Sequence, residues 1–140
     1  MTILVTGAAG FIGYHVARQL LEQGEKVVGV DNINDYYSKK LKEKRLNELS
    51  PYDLFTFYKL DLADHQTVTK RLSEFSFSHI IHLAAQAGVR YSITNPFAYI
   101  ESNLAGHMSV LELCRHQSKL KHLVYASSSS VYGGNRKIPF

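Results

Sequence analysis

The stretch VTGAAGFIG, residues 5–13, connects a short β-branched run to a segment with helical periodicity. Its glycines, Gly7, Gly10 and Gly13, follow the pattern G-x-x-G-x-x-G, close to the dinucleotide fingerprint but with one extra residue after the first glycine. One glycine allows the tight turn, one lets a pyrophosphate approach the backbone, and one lets the helix pack close to the strand. The helix N-terminus then presents free N–H groups to the phosphates. The stretch predicts a nucleotide-binding turn, although a tight β–α turn alone would also use these glycines.

Outward from this turn, the chain alternates between strand-like and helical segments. The predicted strands are Thr2–Thr6, Lys26–Asp31, Leu54–Asp61, His79–Ala85 and His122–Ser129. The predicted helices are Phe11–Gln23, Ser38–Leu49, Ala63–Phe75 and a helix beginning at Asn95-Pro96 that carries Phe97, Ile100, Leu104, Met108 and Leu111 on one side. This alternation predicts an α/β fold with right-handed crossovers, a Rossmann-like doubly wound parallel sheet of about five strands. Residues 1–140 are expected to form one domain.

Composition narrows the function classes. The chain has 140 residues, 45% of them hydrophobic, and a net charge of +4. The basic excess suits an anionic ligand, but no basic stripe interleaves with aromatics, so no nucleic-acid binding is expected. The run KKLKEKR, Lys39–Arg45, has helical spacing and is interpreted as a solvated helix face.

Cysteine usage and apolar runs bear on location. Cys114 is the only cysteine, which excludes an intrachain disulfide and a cysteine cluster for zinc. A reducing, cytoplasmic location is therefore expected, with no metal site. The opening MTILVTG lacks a positive n-region, so no signal peptide is expected, and no apolar run approaches the roughly 20 residues of a membrane span.

Acidic and small residues follow the later strands. Asp31 ends the second strand, where a carboxylate can accept hydrogen bonds from ribose hydroxyls and repel a 2′-phosphate, which favours NAD over NADP. The alternative interpretation of Asp31 is an aspartate that stabilises a turn or caps a helix N-terminus. Asp61 follows the third strand, where it can contact an adenine edge or cap the next helix. Ala84 and Ala85 leave room for a cofactor, or simply pack closely.

These residues together resemble the extended short-chain dehydrogenase/reductase family. Specifically, the chain is similar to the N-terminal part of an NAD-dependent nucleotide-sugar epimerase, of the UDP-glucuronate 4-epimerase type. The matching stretches are VTGAAGFIG, VDNINDYYS, KLDLAD, IIHLAAQAGVRYS, NPFAYIESNLAGHMSVLELCR and HLVYASSSSVYGGN. Such isomerases keep NAD bound, take hydride from the sugar C4 of a UDP-sugar, and return it to the other face of the 4-keto intermediate.

The resemblance also implies roles for single residues. It places cofactor contacts on Gly7, Gly10, Phe11, Ile12, Gly13, Asp31, Asn32, Asp61, Leu62, Leu83, Ala84, Ala85 and Asn103. It places the catalytic Ser/Thr on Ser128, whose hydroxyl would bind the sugar O4. Because the serine run is predicted to lie in a strand, strand alternation predicts that Ser127 and Ser129 point to the opposite face. Arg90 would bind a phosphate or the uronate carboxylate; the alternative is a surface arginine. For Asn103, the alternative to a cofactor contact is a solvated helix residue.

The family's catalytic base is not found in this sequence. It is a tyrosine in a Tyr-x-x-x-Lys motif, and no such motif follows Ser128, while Tyr36 with Lys40 has the spacing by coincidence. The expectation is an incomplete Rossmann domain that lacks the C-terminal substrate part and is inactive alone. Because of an open sheet edge, it is also expected to be marginally stable or to self-associate. The alternatives are a non-catalytic NAD-binding module or truncated gene product and, within the family, a UDP-glucose 4-epimerase or sugar 4,6-dehydratase. Dehydratases carry Asp-Glu after the catalytic Ser/Thr, where this chain has Ser129-Ser130.

Overall fold

A computed structural model describes residues 1–139; Phe140, the last residue of the predicted domain, lies outside the described residues. Five parallel strands form one sheet in the order β3-β2-β1-β4-β5. The strands are β1 Thr2–Thr6, β2 Lys26–Asp31, β3 Phe55–Lys59, β4 His79–His82 and β5 His122–Tyr125. The helices are α1 Phe11–Glu22, α2 Lys39–Leu49, α3 His65–Leu72, α4 Tyr91–Thr94, α5 Pro96–Tyr99 and α6 Gly106–Arg115. The predicted Rossmann-like parallel sheet is confirmed.

The two faces of the sheet are buried by different helices. Successive residues of a strand point to opposite faces. Leu4 belongs to one core cluster, together with Val110 of α6. Ile3 and Val5 belong to the other, together with Ala17 of α1. Burial on both faces explains why the central strands are nearly continuous apolar runs.

Three predicted strands are longer than the observed ones. β3 ends at Lys59 rather than Asp61, β4 at His82 rather than Ala85, and β5 at Tyr125 rather than Ser129. After β3 and β5 one more backbone hydrogen bond joins the neighbouring strand, from Leu60 N–H to the Asp31 oxygen and from Ala126 N–H to the His82 oxygen, and the paired register ends there. The direct consequence falls on the serine run, because residues outside a strand do not follow strand alternation. The prediction that Ser127 and Ser129 point away from Ser128 for that reason is wrong.

The helix predicted from Pro96 runs through three segments. The π-helical turn Ile100–Ala105 lies between α5 and α6. The apolar side that the sequence predicts for this helix is exposed: Phe97 is 70% exposed and Leu104 is 65% exposed. The core contacts of α6 come instead from another side, which includes Val110 and Leu113. Among residues 1–139, no element covers the predicted stripe.

Candidate functional site

A pocket opens at the carboxyl ends of β1, β2, β3 and β4, where ligands of open parallel sheets bind. β1 has neighbours on both sides, and the chain crosses from β3 back to β4, so the pocket lies at the topological switch point. Nine residues predicted as cofactor contacts line it: Gly7, Gly10, Asp31, Asn32, Asp61, Leu62, Leu83, Ala84 and Ala85. Nine further lining residues were not predicted: Val30, Asn34, Tyr36, Tyr37, Lys42, Leu60, Gln86, Ala87 and Ser102.

The glycine turn has the tight geometry that its sequence predicts. Gly7 has φ +70°, and a Cβ there would lie 2.9 Å from the backbone nitrogen of Ala84. A Cβ on Gly13 would overlap the Gly7 carbonyl oxygen, so α1 packs directly on the turn only with glycine at this position. Gly10 precedes α1 and lines the pocket. The turn therefore presents bare backbone to a ligand at the start of a helix of 12 residues.

Four of the predicted cofactor residues do not line the pocket: three at the start of α1, and Asn103, which is described below. Phe11 and Ile12 are exposed on the first turn of α1, and Gly13 is buried beneath that turn. Their place at the helix N-terminus still leaves their backbone N–H groups without an acceptor four residues earlier in the helix.

Asp31 is held by the backbone on both sides. Its Oδ2 accepts from the Ala9 N–H of the glycine turn at 3.1 Å, and its Oδ1 accepts from the Ile33 N–H at 2.9 Å. The side chain is nearly buried and lines the pocket. Because an ionised carboxylate offers about four acceptor positions, two remain for a ligand. The acid thus ties the end of β2 to the glycine turn and keeps acceptor capacity for hydroxyl groups.

Lys42 is the buried cation of the site. It lies in the run that the sequence predicts to be a solvated face, but it is only 4% exposed, so that interpretation is wrong for this residue. Its Nζ donates to the backbone oxygen of Asn34 at 3.1 Å and to its Oδ1 at 2.7 Å, and lies 3.9 Å from Asp31 Oδ1. Burial lowers the pKa of Lys42, and the charge of Asp31 opposes that shift. Lys42 therefore anchors the loop between β2 and α2 around the acid.

Asp61 caps a turn and contacts Asn32. Its Oδ1 accepts from the Ala63 N–H at 2.9 Å, and its Oδ2 accepts from Asn32 Nδ2 at 3.2 Å. The N-cap of α3 is Asp64, whose side chain accepts from the Thr67 N–H. The alternative that Asp61 caps the next helix is therefore wrong. Asn32 and Asp61 together form the polar rim over the ends of β2 and β3.

Asn103 secures the segment after β4 instead of lining the pocket. Its Oδ1 accepts from the Gln86 N–H at 2.7 Å, and its Nδ2 donates to the Gln86 oxygen at 3.0 Å. The π-helical turn that carries Asn103 is a feature often found at functional sites. Ser102, its neighbour, faces the pocket. The asparagine therefore fixes the backbone that forms one pocket wall.

The segment after β4 is also held by tyrosines. The Tyr99 hydroxyl donates to the carbonyl oxygens of Ala87 and Gly88. Gly88 has φ +97°, and a Cβ there would overlap the Tyr36 hydroxyl. Arg90, just beyond, is exposed at the start of α4 and has no ion pair among residues 1–139.

Ser128 lies outside the pocket. It precedes the 3₁₀ turn Ser129–Tyr132, and its Oγ accepts from the Ser130 N–H at 3.2 Å. The residue is exposed, as are its neighbours from Val124 to Pro139. The structure therefore brings together nine of the predicted cofactor residues at the ends of β1 to β4. It leaves the predicted catalytic serine on a separate, open surface.

Two other structural features, a metal-binding cluster and a membrane-spanning helix, are absent from residues 1–139. Within residues 1–139, no group of three or more His, Cys, Asp or Glu side chains is arranged to hold a metal ion. The same part of the chain contains no helix with the length and apolar character needed to cross a membrane.

Comparison with known proteins places this arrangement in a family. The family model for GDP-mannose 4,6 dehydratase matches residues 4–140. The chain belongs to that family. It is 47% identical over 140 residues to UDP-glucuronate 4-epimerase 4 of Arabidopsis thaliana, which covers 100% of this chain and 32% of the plant protein. The resemblance to UDP-glucuronate 4-epimerases is confirmed.

Solved structures give the same result. The UDP-glucuronic acid 4-epimerase of Bacillus cereus, in complex with UDP-glucuronic acid and NAD, matches with a TM-score of 0.86 and 36% identity. The match covers 98% of this chain and 43% of that protein. The UDP-glucose 4-epimerase of Thermotoga maritima, with UDP-glucose, matches with a TM-score of 0.82 and 32% identity over 99% of this chain and 41% of its own. The chain thus spans less than half the length of these relatives.

Proposed function

We propose that this chain is the NAD-binding part of a nucleotide-sugar 4-epimerase of the UDP-glucuronate type. The observation that carries the proposal is the pocket at the switch point, where the glycine turn, Asp31 and the segment after β4 meet around one opening. Its similarity to an epimerase structure with NAD bound supports the choice of ligand. A reducing, cytoplasmic location is part of the proposal, because the lone Cys114 forms no intrachain disulfide.

The residues present fit NAD. Gly10 offers bare backbone at the start of α1, where a pyrophosphate can approach helix N–H groups. Asp31 has free acceptor positions for ribose hydroxyls, and its negative charge opposes a 2′-phosphate. Lys42 is 3.9 Å from that carboxylate, but its Nζ is engaged with Asn34. The pocket therefore favours NAD over NADP.

Bound NAD supplies a reversible hydride acceptor for the sugar C4. The chain's own residues then bind and orient it: Asp31 and Asn32 at the ribose, Asp61 at the adenine edge, and the backbone of Gly10 at the phosphates. Leu83 and Ala84 form the wall on the β4 side, and this wall is fixed by Asn103 through Gln86.

The sugar is proposed to contact Ser128 and Arg90. The Ser128 hydroxyl would hold the sugar O4, and the Arg90 guanidinium would pair with a phosphate or the uronate carboxylate through its fork of donors. Ser129 and Ser130 occupy the positions of the Asp-Glu pair of dehydratases, which favours epimerisation over dehydration. UDP-glucose is the second candidate substrate, because a UDP-glucose 4-epimerase also matches this fold.

Without further protein, these 140 residues are proposed to bind NAD but not to turn over a UDP-sugar. Ser128 is exposed outside the pocket, and no Tyr-x-x-x-Lys motif follows it in the sequence. General acid–base catalysis contributes about 10²–10⁴-fold in rate. Positioning of the sugar nucleotide, which the pocket of the described residues does not provide, contributes further.

A fusion tests the catalytic part of the proposal. A fusion with the C-terminal segment of a UDP-glucuronate 4-epimerase, joined after Phe140, should turn over UDP-glucuronate. Chromatographic separation of the two epimers measures this turnover. In that fusion, Ser128→Ala should strongly reduce turnover while NAD stays bound, and Ser129→Ala is the matched control. An active Ser128→Ala fusion would show that the serine assignment is wrong. Turnover by the unfused chain would contradict the proposal that it only binds the cofactor.

A further inference from the structure

The chain carries a buried imidazole to which the proposed function gives no role. His82 is the last residue of β4 and is 5% exposed. Its Nδ1 lies 2.7 Å from the hydroxyl of Thr6, the last residue of β1. The ring of His107 from α6 stacks on it, with the ring centroids 5.1 Å apart. His82 therefore connects the two central strands at the edge where the pocket opens.

The hydrogen-bond count at Thr6 fixes the tautomer of His82. The Thr6 Oγ1 accepts from the backbone N–H groups of Leu83 and Ala84, each at 3.1 Å. A hydroxyl has two acceptor lone pairs and one hydrogen. Because both lone pairs are occupied, the hydrogen is donated to His82 Nδ1. This nitrogen must be unprotonated, so the neutral ring carries its hydrogen on Nε2.

The two amides held by Thr6 belong to the pocket wall. Leu83 and Ala84 line the pocket, and Gly7 lies directly opposite, since a Cβ on Gly7 would be 2.9 Å from the Ala84 nitrogen. One hydroxyl therefore sets the spacing between the glycine turn and the first residues after β4. A Thr6 hydroxyl without its acceptor could rotate and release one of these amides.

We propose that His82 is a positioning residue for the dinucleotide, which acts through Thr6 to hold the Leu83–Ala84 backbone against the glycine turn. This inference rests on the proposed function, because it assumes that the pocket binds a dinucleotide. The neutral form of His82 is favoured by its surroundings: burial lowers its pKa to about 4, and the charge of His107 adds to this shift. Beyond His107 lies Tyr125 of β5, whose ring meets the His107 ring edge-on.

The sheet order predicts which part of the ligand depends on His82. Asp31 and Asp61 follow β2 and β3, on one side of β1, whereas Leu83 and Ala84 follow β4, on the other side. AMP would occupy the β2–β3 side alone, and NAD would span both sides. A loosened β4 wall should therefore weaken NAD much more than AMP, whereas a general loss of structure would weaken both equally.

Calorimetric titration of four variants and one control variant with NAD and AMP tests this difference. His82→Leu removes one of the three hydrogen bonds of the Thr6 hydroxyl and should weaken NAD about tenfold. Thr6→Val removes all three and should weaken NAD more than tenfold. Both variants should leave AMP nearly unchanged. Thr6→Ser restores the hydroxyl, and His82→Asn restores an acceptor near the Nδ1 position, so both should recover most of the affinity. His79→Leu, at the opposite end of β4, is the control. Equal weakening of NAD and AMP, or no weakening of NAD, would overturn the proposal.

Nitrogen NMR of the unmutated chain gives a readout that needs neither a variant nor a ligand. At neutral pH, the His82 ring should show an unprotonated Nδ1 and a protonated Nε2, and the amides of Leu83 and Ala84 should exchange slowly. A protonated Nδ1 together with normal NAD binding would overturn the role of His82 alone. Absence of NAD binding with the expected tautomer would instead overturn the proposed function, and with it the dinucleotide part of this inference.

Discussion

Two regions of the chain contrast in how completely they are built. The nucleotide half, formed by β1 to β4, α1 and α2, has buried core residues on both faces of the sheet and presents a pocket at the carboxyl ends of its strands. The serine end, formed by β5 and residues 126–139, is largely exposed: Val124 is 47% exposed and Tyr125 is 55% exposed. The two regions have similar apolar strand sequences. An apolar run therefore predicts a strand, whereas the burial of that strand depends on which elements lie beside it.

Gly10→Val should produce the largest effect, because it places a branched side chain in the pocket of the nucleotide half. Its Cβ would lie 3.0 Å from the Gly7 carbonyl oxygen, and its methyl groups would extend toward the phosphate position. NAD affinity should fall by about 100-fold or more, as expected for losing about 3 kcal/mol of binding energy. Calorimetric titration measures the loss.

Gly134→Val is the matched control for that substitution. A Cβ at Gly134, in the serine end, meets no atom of residues 1–139 within 4 Å. Equal loss of NAD affinity in both variants would break the comparison, because it would place the serine end in the binding site.

Core truncation sharpens the contrast in stability. Leu4→Ala in β1 removes a fully buried side chain and should lower the free energy of unfolding by about 3 kcal/mol. Val124→Ala in β5 removes a half-exposed side chain and should change it by about 0.5 kcal/mol or less. Urea denaturation followed by circular dichroism gives both values. Similar losses would mean that β5 is as well packed as β1.

The free energy of unfolding should depend on pH because of the buried imidazole of His82 in β4. The pKa of His82 falls from 6.5 to about 4 on folding, so the unfolded chain binds the proton more readily. The free energy of unfolding therefore has its full value, as far as His82 is concerned, above about pH 6.5. It falls by about 3 kcal/mol in total as the pH decreases toward 4.

Urea midpoints between these limits test the prediction. His82→Asn should flatten the fall in stability, whereas His79→Asn should retain it. An unchanged acid slope in His82→Asn would remove His82 as its cause.

Asp31→Asn should change the choice between cofactors. The amide keeps one oxygen acceptor for the backbone of the glycine turn but removes the negative charge that opposes a 2′-phosphate. The ratio of NAD to NADP affinity should fall about tenfold, which corresponds to about 1.4 kcal/mol. Competition between the two dinucleotides in one titration measures the ratio. A constant ratio would move cofactor choice to another residue, with Lys42 the first candidate.

The smallest effect concerns self-association of the serine end. β5 is an edge strand with exposed apolar side chains, which favours pairing with another chain. Sedimentation velocity should show concentration-dependent association, and Val124→Lys should weaken it. Leu104→Lys, on the exposed stripe of the helix after Pro96, is the matched variant. If only Leu104→Lys weakens association, the contact lies on that stripe. If the unmutated chain stays monomeric, neither surface mediates self-association.

The sequence predicted the fold well because glycine spacing and apolar runs are local signals. Strand order and the ends of β3, β4 and β5 were harder, because both depend on where neighbouring strands stop. Lys42 was missed in the site because a lysine in a charged run normally indicates solvent, and only the folded loop places it beside Asp31. His82 was missed because its partner, Thr6, is 76 residues away in sequence.

Titration of the unmutated chain with NAD is the most direct test of the central claim, that the nucleotide half forms a working cofactor site although the serine end is open. We expect saturable binding of one NAD per chain, tighter than binding of NADP, and binding weaker by about 100-fold or more in Gly10→Val. A folded chain that binds neither dinucleotide would contradict it.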